Sequence, residues 1–383
     1  MTRDLVSISD LRDDDVVALL DRADRFSADV RGHTGRRPGA LLATLFLEPS
    51  TRTRLSFEAA MLRLGGRVVT SADAKSSSSS KGETLADTVR MVDGYADVIV
   101  LRHPSAGAAR LAADLAARPV VNGGDGGREH PTQTLVDLFT LRRRFGRLEG
   151  LFVVLWGDLR FGRTTHSLAE ALLRFGARVL LLSEPGLEFP SGVLDHLRHG
   201  GAETADVEVS GPPTFGALPL RGVLLGRALG RPTALNFDQE RPNAIYVTRV
   251  QAERLPGGVG AARRLPTVDR RFLAEAAFAE TAILHPLPRV GEIAPEIDAD
   301  PRALYFVQAA AGVPVRMALL DAVLDDVGTW GGPPDVTATT DRSRCERQGC
   351  ISGAEAAPPL SSRQGARCGY CGESFARNPH VAD

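Results

Sequence analysis

Apolar and polar positions along the chain follow two periods, and their order outlines a fold. Leu11, Val16, Leu19 and Leu20 recur at helical spacing over residues 10–26, behind Ser9 or Asp10 as a cap. Residues 41–47 form a continuous apolar run, short enough for a buried strand, and Glu48-Pro49-Ser50 turns the chain after it. Leu55, Ala59 and Leu62 then mark a helix over 51–64 that stops at Gly65-Gly66. Residues 98–101 and 119–121 read as further short strands. His130-Pro131 opens a helix with proline in its first position, followed by Leu135, Leu138 and Phe139. A second cycle begins with a strand at 151–156, turns through GDLRFGR and continues with a helix over 164–175. Strands at 179–182, 244–248 and 281–284 complete it. This alternation predicts an α/β protein with two doubly wound parallel-sheet domains, residues 1–144 and 145–311. A helix at 315–327, within 312–328, is expected to pack back on the first.

The tail departs from this pattern. Within the linker at 329–344, Gly331-Gly332-Pro333-Pro334 and the polar residues up to Arg344 make a stretch of about 14 residues, able to span at most ~45 Å. Residues 345–383 are too few to hold a core unaided. They carry all four cysteines, Cys345, Cys350, Cys368 and Cys371, in two close pairs. Such a grouping suits one tetrahedral Zn2+, with two disulfides as the alternative. A metal would supply the staple that so short a domain needs.

Composition narrows the class. The net charge is −1 and charged residues are 24%, which gives no support to nucleic acid or an anionic membrane as the main partner. The longest apolar runs, 41–47 and 151–156, fall far short of the ~18 residues of a membrane span. The N-terminus has no apolar signal region, so a cytoplasmic enzyme is expected. Of 46 basic residues only Lys75 and Lys81 are lysines, which marks each as a candidate for chemistry that arginine cannot perform.

The chemistry gathers at strand-to-helix turns. Ser50-Thr51-Arg52-Thr53-Arg54 brings open backbone N–H groups, hydroxyls and guanidinium groups to a helix start, an anion site suited to phosphate. His130 and Gln133 stand one turn apart at another helix start. His can donate to a carbonyl oxygen, and Gln can read an amide. Arg102 ends a strand, as do Arg249 and Gln251, while Arg163 follows the Gly157-Asp158 turn. These positions lie where α/β sheets bind ligands. His285-Pro286-Leu287-Pro288-Arg289 follows the last strand, its course fixed by two prolines.

The stretches FLEPSTRTRLSFE, SKGETLADT, RHP, GDGGREHPTQTLVDLF, GDLRFGRTTHSL, YVTRVQAER and LHPLPR together resemble the catalytic chain of aspartate carbamoyltransferase over about residues 1–328. HPTQ and HPLPR favour aspartate over ornithine as acceptor. The tail CERQGCIS…CGYCGESFARN resembles the zinc domain of that enzyme's regulatory chain, fused here without the nucleotide-binding domain that normally precedes it. The resemblance implies that Ser50, Thr51, Arg52 and Thr53 hold the phosphate of carbamoyl phosphate, with Arg102. It implies that His130 donates to the carbamoyl oxygen and Gln133 binds its NH2. Arg163, Arg249 and Gln251 would bind aspartate, with the backbone carbonyls of Leu287 and Pro288 near the amine. Ser77, among Ser76 to Ser80, and Lys81 would come from the neighbouring subunit of a homotrimer. No catalytic metal or organic cofactor is implied. Two trimers could pair into a hexamer through the zinc domain. The stretch 211–243 is longer than the family needs and is expected to form an extra helix or hairpin, or to contact the zinc domain. Rival readings are another amino-acid acceptor, a catalytically silent scaffold, or a nucleic-acid-binding cysteine module.

Overall fold

The computed structural model describes residues 4–71, 82–212, 220–230, 232–251, 265–325, 330, 336–338, 345, 349–355, 360–362 and 368–371. In chain order the elements are α1 (Asp13–Ala28), β1 (Leu41–Phe46), α2 (Thr51–Arg63), β2 (Arg67–Ser71), α3 (Leu85–Asp93), β3 (Val98–His103), α4 (Ala108–Leu115), β4 (Val120–Asp125) and α5 (Pro131–Phe145). They continue with β5 (Phe152–Gly157), α6 (Arg163–Arg174), β6 (Arg178–Ser183), α7 (Ser191–His199), β7 (Glu203–Ser210), β8 (Leu220–Gly226), β9 (Ala234–Asn236), β10 (Ala244–Val247), α8 (Arg270–Ala274) and β11 (Ala282–Leu284). The last are α9 (Tyr305–Val323), β12 (Val336–Ala338), α10 (Ile351–Ala354) and β13 (Leu360–Ser362). The chain divides into two compact units, residues 1–132 with 316–383, and residues 133–315.

The first unit holds a four-stranded sheet in the order β2-β1-β3-β4, parallel throughout. Its central strands are continuous apolar runs buried on both faces, the signature of a helix-covered parallel sheet. Ser7, rather than Ser9 or Asp10, caps a short 3-10 turn, and α1 starts at Asp13 with three aspartates at its positive end. The C-terminal part of α9 is tied to this unit by the buried Asp321 carboxylate. It accepts Arg36 Nε at 2.9 Å, Arg37 Nε at 2.6 Å and Arg22 Nη1 at 3.0 Å. A carboxylate so deeply buried is tolerated because three guanidinium groups surround it.

The second unit holds seven strands in the order β11-β10-β5-β6-β8-β7-β9. From β11 to β6 they are parallel, but β8 pairs antiparallel with both β6 and β7, so the sheet is mixed rather than wholly parallel. The extra stretch supplies this edge: β8 runs back along β7, and β9 joins β7 in parallel. Of the three outcomes expected for 211–243, the hairpin is the one observed, with 213–219 outside the described residues. Val207 and Val209 face the core while Glu208 and Ser210 do not, the alternation of a half-covered strand.

Helix α9 begins ten residues before the expected start at Val315 and carries Pro314 within it. Gly312 and Pro314 mimic a helix boundary, yet Pro314 removes only one N–H donor and the helix runs through it. By length and composition α9 could cross a membrane, but 67% of its apolar window is buried within the protein, as in a core helix. The segment expected as a plain linker contains β12, which pairs antiparallel with β13.

Candidate active site and cysteine cluster

In the first unit the carboxyl ends of β1, β3 and β4 converge. Phe46 of β1 lies in register with Arg102 of β3. Ser50 precedes α2 in an extended conformation and makes no side-chain cap, so the first N–H groups of the helix have no intrahelical acceptor. Thr53 is buried in this first turn, and its hydroxyl lies 3.4 Å from Nε2 of His130. The other ring nitrogen, Nδ1, is 3.3 Å from the Thr132 hydroxyl. Arg102, 9% exposed, donates through Nη1 to the Gly123 carbonyl at 3.0 Å and pairs through Nη2 with Glu48 at 2.9 Å. Thr51 and Arg52 are exposed on the same first turn of α2. The structure therefore brings Thr53 and His130 together at the first turn of α2, and ties Arg102 to Glu48 in the turn that precedes that helix, an arrangement of donors suited to a phosphate and a neighbouring carbonyl oxygen. The neighbouring His103 accepts the Ser105 N–H at Nδ1, and burial pushes its pKa down to about 4. It is neutral at physiological pH and adds no charge to the anion site.

In the second unit two loops are laced together where β5 and β10 end. Val247 pairs with Trp156, and the fully buried Asp158 carboxylate accepts the N–H groups of Phe161 and Gln251, each at 2.9 Å. Burial raises the Asp158 pKa, opposed by those backbone hydrogen bonds. The Gln251 side chain donates to the Phe161 carbonyl at 2.7 Å. Asp158 thus holds Gln251, Arg249 and the start of α6 with Arg163 at one sheet edge. Leu287 has a positive φ of 53° and donates its N–H to His285 Nδ1 at 2.7 Å, which leaves Nε2 to donate to Glu292 at 2.8 Å. The Leu287-Pro288 peptide is cis. Gln133, in the first turn of α5, donates to Asp137 at 2.7 Å.

Ser77 and Lys81 lie outside the described residues, as does the whole of Ser76 to Ser80. Three residues that shape these sites carried no assigned role in the sequence: Glu48, Asp137 and Asp158. Asp137 had one local signal, its place four residues after Gln133 on a helix. Glu48 and Asp158 act through partners distant in the chain.

The four cysteine sulfurs lie within 4.8 Å of one another, with Cys345 and Cys371 Sγ 3.4 Å apart and Cys350 and Cys368 Sγ 3.8 Å apart. None of the four is in a disulfide. Four sulfurs about 2.3 Å from one tetrahedral ion would be roughly 3.8 Å apart, so the set fits such a metal. Hydrogen bonds with Cys350 and Cys371 pull the Cys368 thiol down, whereas those with Cys350 and Cys368, and next burial, hold Cys371 up. Four thiolates cannot share this space without a cation. The cluster is built into the core of the first unit. Ala106 N–H donates to Gly349 at 2.8 Å, Ile351 N–H returns to Ala106 at 3.0 Å, and Tyr370 is fully buried with Leu111 and Ala112. Glu355 accepts the N–H groups of Leu85 at 2.5 Å and Ala86 at 3.3 Å, capping α3 from outside.

Residues 3–143 match the family model described as aspartate/ornithine carbamoyltransferase, carbamoyl-P binding domain, and residues 243–323 match its Asp/Orn binding domain. The chain is 45% identical over 332 residues to the aspartate carbamoyltransferase catalytic subunit of Thermococcus onnurineus, covering 84% of this chain and 97% of that one. It is 43% identical over 325 residues to that of Picrophilus torridus, covering 84% and 98%. Among solved structures, the aspartate transcarbamoylase of Trypanosoma cruzi in complex with carbamoyl phosphate and aspartate superposes with a TM-score of 0.71 at 33% identity, covering 85% of this chain and 97% of that one. The catalytic subunit from M. Jannaschii gives 0.67 at 37% identity, covering 85% and 98%. The cysteine cluster lies beyond both family-model matches.

Proposed function

The chain belongs to the family of aspartate carbamoyltransferase catalytic subunits, and from that premise we propose that it transfers the carbamoyl group of carbamoyl phosphate to the amine of L-aspartate. The products are N-carbamoyl-L-aspartate and phosphate, the former on the route to pyrimidines. The observation that carries the reading is the contact of Thr53 with His130 at the first turn of α2, with Arg102 paired to Glu48 just before it. Ser50 to Thr53 and Arg102 hold the phosphate. His130 and Thr53 donate to the carbamoyl oxygen, and Gln133 accepts from its NH2. Arg163, Arg249 and Gln251 hold the aspartate carboxylates, and the carbonyls of Leu287 and Pro288 orient the amine. The unprotonated amine attacks the carbamoyl carbon, the developing oxyanion is stabilised by these donors, and phosphate leaves with the amine proton. Positioning and electrostatics supply the rate, without a covalent enzyme intermediate.

Leu55 and Leu62, seven residues apart on α2, are 50% and 57% exposed, and Val69 on the edge strand β2 is 44% exposed. An apolar face beside an open sheet edge supports a homotrimer contact, across which Ser77 and Lys81 reach the neighbour's site. The four cysteines hold a structural Zn2+, in a cytoplasmic setting where thiols stay reduced. This module resembles a regulatory-chain zinc domain fused to the catalytic chain, and it pairs trimers into a hexamer. Light scattering before and after zinc chelation tests the pairing, which an unchanged mass would exclude.

The deciding experiment is carbamoylation by the zinc-loaded protein with L-aspartate and L-ornithine as competing acceptors. Carbamoyl-aspartate alone is expected. Citrulline would mean that the pocket around Arg163 and Arg249 reads a different acceptor, and no product from either would overturn the assignment.

A further inference from the structure

Within the second unit, Gln133 belongs to a chain of hydrogen bonds whose direction is fixed at every link. His285 donates its backbone N–H to Oε1 of Gln308 at 3.0 Å, a contact that only a carbonyl oxygen can accept. Gln308 must therefore present its NH2 at the other end, where it donates to Asp137 Oδ1 at 2.6 Å. Gln133 donates its own NH2 to the same oxygen at 2.7 Å. Asp137 is 0% exposed, Gln308 1% and His285 2%, so water cannot substitute for a lost partner. An ionised carboxylate only accepts. Were the Gln133 amide reversed, its carbonyl oxygen would face Asp137 Oδ1 across the same short gap, oxygen against oxygen. Behind Asp137 stands the buried Tyr246 hydroxyl. Burial, and next the Asp137 charge, hold it well above its ordinary pKa and so protonated.

We infer that Asp137 is a positioning residue that turns the Gln133 carboxamide so that its carbonyl oxygen, and not its NH2, is presented to the carbamoyl NH2, selecting carbamoyl phosphate over an acyl phosphate with methyl in that place. The inference rests on the proposed role of Gln133 as reader of the carbamoyl amide. A primary amide is nearly symmetric in shape, so an unpinned Gln133 would present donor or acceptor with similar ease. Presented with its NH2, it would set donor against donor and lose the means of distinguishing NH2 from CH3. The chain ends on the 285–292 loop, where His285 also fixes the Leu287 N–H. One buried carboxylate thus orients the amide reader and anchors, through Gln308, the segment whose carbonyls are assigned to the amine.

The test uses acetyl phosphate, the methyl isostere, as a competitive inhibitor. The Ki of acetyl phosphate, the KM of carbamoyl phosphate and the Ki of inorganic phosphate are measured for the parent, Asp137→Leu, Asp137→Asn and Gln133→Leu. Asp137→Leu is expected to lower the preference for carbamoyl over acetyl phosphate about tenfold, with the phosphate Ki unchanged. Asp137→Asn is expected to keep most of the preference, because its oxygen can still accept both amides. Gln133→Leu should lower the preference as Asp137→Leu does, and the double variant should lose no more. If all three ligands weaken in parallel in Asp137→Leu, the residue is merely structural and the inference falls. If Gln133→Leu lowers the preference but Asp137→Leu does not, the inference alone falls. If Gln133→Leu leaves the preference intact, the assignment of Gln133 falls and takes the inference with it. Asp137→Ser, whose hydroxyl is too short to reach Gln133, carries the same expectations if Asp137→Leu does not fold.

Discussion

The Thr53 hydroxyl and Nε2 of His130 lie 3.4 Å apart across 77 residues of sequence. Thr53 comes from the first turn of α2 and His130 from the residue before α5, so two strand-to-helix turns meet at this pair. Replacing His130 by Ala removes one donor to the developing oxyanion. A loss of roughly 10²–10³ in kcat is expected, with a smaller change in phosphate binding. Steady-state kinetics with phosphate as a product inhibitor separates the two. A loss of only a few fold in kcat would remove His130 from this role.

The residues of that pair were legible because each stands in a dense local pattern, STRTR after an apolar run and HPTQ at a proline-opened helix. What was not legible depends on partners far away in the chain. Nothing near Gln308 announces that its amide will meet Asp137, 171 residues earlier. Strand β7 was not legible because most of its positions are polar or small and its pairing depends on β8, which follows it. The start of α9 was hidden by Gly312 and Pro314, which outweigh helical spacing when read locally. The cysteine spacing announced a tetrahedral cluster, but not that Ala106 and Gly107 would receive it, since small residues in a loop carry no sign of what they admit.

Gly107 offers a sharp test of that docking. Its φ is +84°, and an added Cβ would stand 2.5 Å from Tyr370 Cβ and 2.6 Å from the Tyr370 carbonyl oxygen. Gly39 has the same backbone conformation, φ +85°, with nothing within 4 Å of such a Cβ. Gly39→Ala should therefore cost only the strain of a left-handed conformation, about 1–2 kcal/mol. Gly107→Ala should cost that plus the contact with Tyr370, and should separate the cysteine module from the α3–α4 surface. Urea unfolding gives the first comparison, and limited proteolysis near Glu355 the second. Equal costs would argue against the docking.

Metal removal should act on the same contacts. The four sulfurs close a cluster within the core that includes Leu111, Ala112 and Tyr370. Chelation, or Cys350→Ser, is expected to lower Tm by at least several degrees and to expose residues 345–371 to protease. Glu355→Gln leaves the cluster intact and weakens only the external cap on α3, for an expected cost of about 1 kcal/mol. Calorimetry of the three proteins orders these effects. A Tm indifferent to chelation would mean that packing alone holds the module.

His103 gives stability a pH dependence whose sign follows from its burial. Its pKa is lowered to about 4 in the folded protein, against an ordinary value of 6.5. The neutral form is therefore favoured by folding. Its contribution is fully present above about pH 6.5 and is lost as pH falls toward 4, because the unfolded chain takes up the proton first. Urea midpoints at pH 7.5 and pH 5 should differ more for the parent than for His103→Gln, which can still accept the Ser105 N–H. An identical pH slope in both would assign the acid sensitivity to other groups.

Lys81 lies outside the described residues, yet its proposed place across a subunit boundary has a quantitative consequence. Lys81→Gln and Arg52→Ala homotrimers should each be inactive, because every site lacks one cation for the paired anionic substrates. After dissociation, equal mixing and reassembly, a site is whole when an Arg52-bearing chain precedes a Lys81-bearing one. Random pairing makes about a quarter of all sites whole, so about a quarter of the parent activity should return. Recovery should vanish when the two substitutions are placed on one chain and mixed with the Arg52→Ala chain, because no chain in that mixture carries Arg52. A Lys81 acting within its own subunit would give no recovery in the first mixture either. Activity near a quarter there, absent from the second, therefore separates a shared site from a private one.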